Sequence, residues 1–160
     1  MFFYTFVTKG NILRYYAMME RNYIFGMIFY LAQKWQVMGD KVLEEKVGIT
    51  MKQWLLLVIL EQFDDHLPTL SEAANKFGTS RQNIKQLVKQ LEKRGFAILA
   101  ADPADKRAQR IALTGKHRKF FTSDEAVQWQ EDFISGLFEG VDKEEIDAGY
   151  NLINKLSKNI

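Results

Sequence analysis

Cysteine is absent from this 160-residue chain. That excludes a disulfide framework, a zinc–thiolate site and any thiol redox switch. Histidine is nearly as scarce, with only His66 and His117, 51 positions apart. A metal site would need both of them plus carboxylates brought together by the fold, so no metal or cofactor is expected. Proline occurs only at 68 and 103, which permits long uninterrupted helices. Long hydrophobic runs are missing too. The stretch from Tyr23 to Ala32 is ten residues, too short to span a bilayer. The opening MFFYTFV lacks a basic flank and a small-residue cleavage site, so it is not read as a signal peptide. A second reading takes residues 1–17 as a start-site artefact, with Met18 or Met19 as the native start. There is no Gly-rich phosphate loop and no His set beside a Ser and an Asp in a recognisable motif, so an enzyme is not expected.

What the chain does have is segregated charge. Its net charge is only +2. Residues 76–119 nevertheless carry twelve Lys or Arg against three acids, and the remainder is net acidic. A basic segment inside a near-neutral chain is a footprint for a polyanion. A solvated helix face is the ordinary reading of a charge run. Here the cations coincide with a structural pattern.

An apolar, aromatic helix is expected over residues 14–38, ending near Gly39. Thr50 with Gln53 has capping-box spacing and opens a second helix, which should stop near Asp64–His66, before Pro68. Thr69 with Glu72 repeats the box and opens a short helix bearing Leu70, Ala73, Ala74 and Phe77. Gly78 follows as the turn residue. Thr79 with Gln82 is expected to cap the next helix. Its apolar residues Ile84, Leu87, Val88 and Leu91 make one buried stripe, and Gly95 ends it. Residues 96–101 and 108–113 read as short strands around an Asp-Pro turn. Thr114 opens a helix through about Glu139. The run Thr122-Ser123-Asp124-Glu125 leaves open whether that helix is broken. Asp142 with Glu145 starts a last amphipathic helix carrying Ile146, Tyr150, Ile153 and Leu156.

This order is that of a winged helix-turn-helix, in which a second helix enters the major groove by its N-terminus. With the apolar stripe turned inward, Arg81, Gln82, Lys85, Gln86 and Lys89 face outward. Arg and Lys match guanine edges, and Gln or Asn match adenine edges. Arg81, Gln82 and Asn83 occupy the first turn. Thr79 and Ser80 are placed to donate to phosphates beside the helix N-terminus. In the loop between the strands, Arg107 is the candidate for the minor groove, with Lys106 and Arg110 on phosphates. Asp105 would repel phosphate by itself but could orient a neighbouring Arg.

The stretch LSEAANKFGTSRQNIKQLVKQLEKRGFAILAADPADKRAQRIALTGKHR resembles the core of MarR-family transcriptional regulators. The family's wing pattern is matched by Asp102, Asp105, Arg107, Leu113 and Thr114. Ala104 and Lys106 stand where two arginines would be, and Gly115 directly follows Thr114. The resemblance implies a mainly α fold with a small β-hairpin wing, and a homodimer joined through its N- and C-terminal helices. It implies a minor-groove role for Arg107, oriented by Asp105. The corresponding division is residues 1–48 and 120–160 for dimerisation and 49–119 for the DNA-binding lobe. The implied function is a cytoplasmic, sequence-specific regulator of a double-stranded operator, of the repressor type. Its trigger would be a small aromatic or anionic effector, for which Trp35, Met38, Trp54 and His66 are candidate ligands. The absence of Cys excludes the thiol-based, peroxide-sensing branch of that family. Two alternatives remain. A winged-helix protein-interaction module predicts a neutral or apolar outer face on the second helix. A sequence-indifferent nucleoid binder predicts cations without Gln82, Asn83 and Gln86.

Overall fold

A computed structural model describes residues 9–102 and 109–159. Among them are helices α1 (Lys9–Val47), α2 (Met51–Glu61), α3 (Leu70–Phe77) and α4 (Arg81–Lys93). Strands β1 (Ala97–Ala101) and β2 (Gln109–Leu113) follow, then α5 (Gly115–Thr122), α6 (Asp124–Leu137) and α7 (Lys143–Ser157). The expected mainly α architecture with one antiparallel hairpin is what forms. The chain divides after Thr114 into two compact units.

In the first unit α1 does not stop near Gly39. It continues to Val47. Gly39 is not a helix terminator here but a point of close approach: a Cβ there would sit 2.4 Å from the Met51 sulfur. The left-handed ending comes at Gly48, with φ 73°. Asp40 then accepts from the Met51 backbone N–H at 2.7 Å, fastening α1 to the first turn of α2. The capping box of Thr50 and Gln53 is present as expected. Gln53 has a second task. Only 6% exposed, it donates through Nε2 to Gln90 Oε1 at 2.6 Å and so ties α2 to α4. α2 ends at Glu61, short of the expected Asp64–His66. Continuing it would put Asp64 and Asp65 at the negative end of the helix dipole.

Leu56, Leu57, Leu70, Ile84, Val88, Leu91, Phe96 and Ile111 form the centre of this unit and are almost fully buried. Each such side chain stabilises the fold by roughly 1.5–3 kcal/mol. They come from α2, α3, α4 and the hairpin with the residue before it, so α4 and the hairpin share one core. The hairpin pairs Ala97 with Leu113 through Ala101 with Gln109. A third extended piece, absent from the sequence expectation, joins it. Ile111 N–H donates to Pro68 O at 2.8 Å, and Thr69 bridges Arg110. Pro68 fits such an edge because its missing N–H is not needed there.

In the second unit the break left open at 122–125 is real. Ser123 caps α6, accepting from Ala126 N–H, and Asp124 and Glu125 sit in its first turn, where acids favour the dipole. Phe120 packs against Phe121 and Trp129, with centroids 4.7 and 5.9 Å apart. α7 starts with the expected capping box of Asp142 and Glu145 but buries none of its residues. Among the described residues, no helix is long and apolar enough to cross a membrane.

Candidate nucleic-acid interface

The helix-turn-helix is closed by local chemistry. Thr69 caps α3, with its hydroxyl accepting from Glu72 N–H and the Glu72 carboxylate accepting from Thr69 N–H at 2.7 Å. Gly78 ends α3 in the left-handed region, and Thr79 N–H returns to Ala74 O at 3.0 Å. The cap of α4 is Ser80, not Thr79: Ser80 Oγ accepts from Asn83 N–H at 3.2 Å. Thr79 Oγ1 instead accepts from Asn83 Nδ2 at 3.0 Å. The reason is register. Gly78 uses the residue directly after α3, so Thr79 completes the turn and the helix starts one residue later.

Ile84, Leu87, Val88 and Leu91 are buried, as the stripe predicted. Arg81, Gln82, Lys85, Gln86 and Lys89 are all exposed. Spacings of four residues set Arg81, Lys85 and Lys89 along one line and Gln82 and Gln86 beside it. Asn83 differs. It is half-buried and holds the turn through both its backbone and its amide. At the other end of α4, Phe96 N–H returns to Leu91 O at 2.9 Å. Phe96 is completely buried, so the helix passes directly into the hairpin.

Asp105, Lys106 and Arg107 lie outside the described residues. Arg110, expected on a phosphate, is engaged at the base of the hairpin. Its Nε donates to Asp102 Oδ2 at 2.5 Å and its Nη1 to Leu67 O at 2.6 Å. Asp102 is only 6% exposed. In the sequence it reads as the start of the Asp-Pro turn and as a match to the wing pattern, and not as the partner of Arg110. The one signal in the sequence is an acid eight residues before an arginine across the expected hairpin.

The four effector candidates all lie in the first unit. Trp35 and Trp54 are half-buried and Met38 is exposed. His66 lines a cleft of about 350 Å³ with Leu60, Phe63, Leu67, Pro68 and Ile111. His66 also has a structural contact, with Nε2 3.1 Å from Glu72 Oε1 and its ring edge-on to Phe63. Hydrogen bonds from the Thr69 backbone N–H, then from its hydroxyl, and the His66 contact hold Glu72 down from its ordinary 4.5 to about 2. The folded value lies below the unfolded one. Glu72 therefore adds stability above pH 4.5 and loses it as pH falls toward 2. The stability gap between wild type and Glu72→Gln, read by urea melts, is expected to narrow across that window. A gap that stays constant from pH 6 to pH 2 contradicts the assignment.

The MarR family model matches residues 47–108, which hold α2, the helix-turn-helix and β1. The chain is 27% identical over 125 residues to the transcriptional repressor MprA of Escherichia coli K12, covering 74% of this chain and 70% of that one. It superposes on a MarR transcriptional regulator from Methanosarcina mazei Go1 with a TM-score of 0.74 at 20% identity, over 86% of this chain and 96% of that one. BpsR of Bordetella bronchiseptica, whose DNA binding is regulated by 6-hydroxynicotinic acid, superposes with a TM-score of 0.64 at 22% identity, over 82% and 91%. Local caps, inward stripe, outward cations and hairpin thus agree with the sequence and structural likeness to MarR-family DNA-binding transcriptional regulators.

Proposed function

We propose that the chain is a cytoplasmic, homodimeric repressor that occupies a pseudo-palindromic operator and leaves it when a small aromatic or anionic effector binds. The observation that carries the reading is α4, whose apolar face is sealed into the core while its Arg, Lys and Gln residues stand in solvent. In this reading Arg81 and Gln82 contact base edges, with Gln86 beside them. Thr79, Ser80, Lys85 and Lys89 contact phosphates, and Asn83 shapes the turn. Lys106 and Arg107 serve the wing, with Asp105 orienting Arg107.

Residues 49–119 form the DNA-binding lobe, and residues 1–48 and 120–160 supply the dimer contacts. Support for the dimer comes from apolar surface that is exposed among the described residues. Tyr23, Phe25 and Phe29 on α1 are each at least 60% exposed, and Tyr150 on α7 is 69% exposed. The repressor sense is supported by the MprA likeness, and the effector by BpsR and the cleft at His66.

The test is fluorescence anisotropy with the chain's own promoter region and scrambled DNA across a salt series. Preference for the promoter of ~10³-fold or more is expected. The log–log salt slope should be about −0.9 per phosphate neutralised. Equal, salt-sensitive binding to both DNAs would instead indicate a nucleoid-type binder. No binding to either would indicate a protein-docking module.

A further inference from the structure

We infer that Arg110 is a positioning residue that fixes the hairpin against the helix-turn-helix, with Asp102 as its buried anchor. The inference rests on the DNA-binding reading above and assigns the wing's support within it. The guanidinium spans three pieces of chain. Its own backbone lies in β2, bridged to Thr69. Its Nε is held by Asp102, at the end of β1. Its Nη1 reaches Leu67 O, 43 residues away in the loop before α3. Leu67 is followed by Pro68, whose carbonyl takes the Ile111 N–H, and by Thr69, which caps α3. The clamp therefore joins the hairpin base to the residues that lead into the bracing helix of the reading unit.

A planar fork with fixed donor directions suits this task, whereas an ammonium has one donor centre and cannot hold both partners in that geometry. Burial of the Asp102 carboxylate makes the pair hard to replace, because loss of a charged partner by a buried carboxylate is costly. A cation so engaged sets the angle of the wing rather than meeting phosphate itself.

The test compares Arg110→Gln, Arg110→Lys and Asp102→Ala with wild type, at temperatures where melting shows each to be folded. Two readouts are used: operator binding across a salt series, and hydrogen exchange at the Ile111 amide. All three variants are expected to lose roughly tenfold in affinity, the scale of one charge-assisted contact. The salt slope should become shallower, while the ranking of operator variants read by α4 stays. Exchange at Ile111 should quicken. A direct phosphate role predicts the opposite pattern: Arg110→Lys binds normally, and Asp102→Ala binds as well as or better than wild type. That pattern overturns the clamp, as does unchanged Ile111 protection in all three. Faster Ile111 exchange in the variants, with a wild type that itself binds no DNA, upholds the clamp and overturns the DNA-binding reading instead.

Discussion

Replacing Arg81 by alanine is expected to flatten the preference among operator variants while leaving much of the general DNA affinity in place. Arg81 is the first residue of α4 and is exposed, in the turn that enters the groove first in the proposed reading. A bidentate Arg–guanine contact carries about 1–3 kcal/mol of discrimination, or roughly 5- to 150-fold between the right base and a wrong one. Gln82→Ala should act alike at a neighbouring position. Lys85→Ala and Lys89→Ala are the contrast. A phosphate contact weakens all sequences together and reduces the salt slope by about one unit. Asn83→Ala belongs to neither group, because its amide is already bonded to Thr79 Oγ1 and its backbone to Ser80 Oγ. Its loss should lower the melting temperature through the turn. Competition anisotropy over a panel of single-base operator variants separates these behaviours. If Arg81→Ala keeps the wild-type ranking, α4 does not read bases through its first turn.

The second large effect is expected from Tyr150→Asp combined with Ile153→Asp. α7 has 15 residues, and among the described residues none of its side chains is buried. Its apolar residues Ile146, Tyr150, Ile153 and Leu156 recur at helical spacing and are all exposed. An isolated helix of that length is marginal in water, so its stability has to come from packing. In the proposed dimer, a second copy of the chain would offer the same surface by two-fold symmetry and supply such packing. Two carboxylates on the stripe would lie in an apolar contact without partners, which is strongly unfavourable. Sedimentation velocity should show monomers where wild type shows dimers, with loss of helix by circular dichroism. Operator affinity should collapse, because one monomer cannot span two half-sites. Asn151→Asp, off the stripe, is the control. A double variant that remains dimeric places the self-association surface elsewhere.

Much of the reading unit could be derived from residues a few positions apart. The boxes Thr50–Gln53, Thr69–Glu72 and Asp142–Glu145 form as expected, because a capping box closes within four residues. The stripe of α4 is equally local, set by helical periodicity and the burial of one face. The errors lie where local signals compete. Gly39 resembles a helix end, yet Met51 passes beside it and the helix continues. Thr79 resembles a cap, yet the turn at Gly78 spends it and passes the role to Ser80.

The sequence alone therefore determined the helix-turn-helix with its wing, the outward cationic face of α4, and the exclusion of thiol chemistry. Only the tertiary structure decided what Arg110 and Gln53 do. Arg110 is paired with a carbonyl 43 positions away, and Gln53 with an amide 37 positions away. A cation in a basic segment looks the same in sequence whether it faces DNA or a buried carboxylate. The choice depends on which distant backbone the fold brings within hydrogen-bond reach, and neither composition nor periodicity encodes that distance.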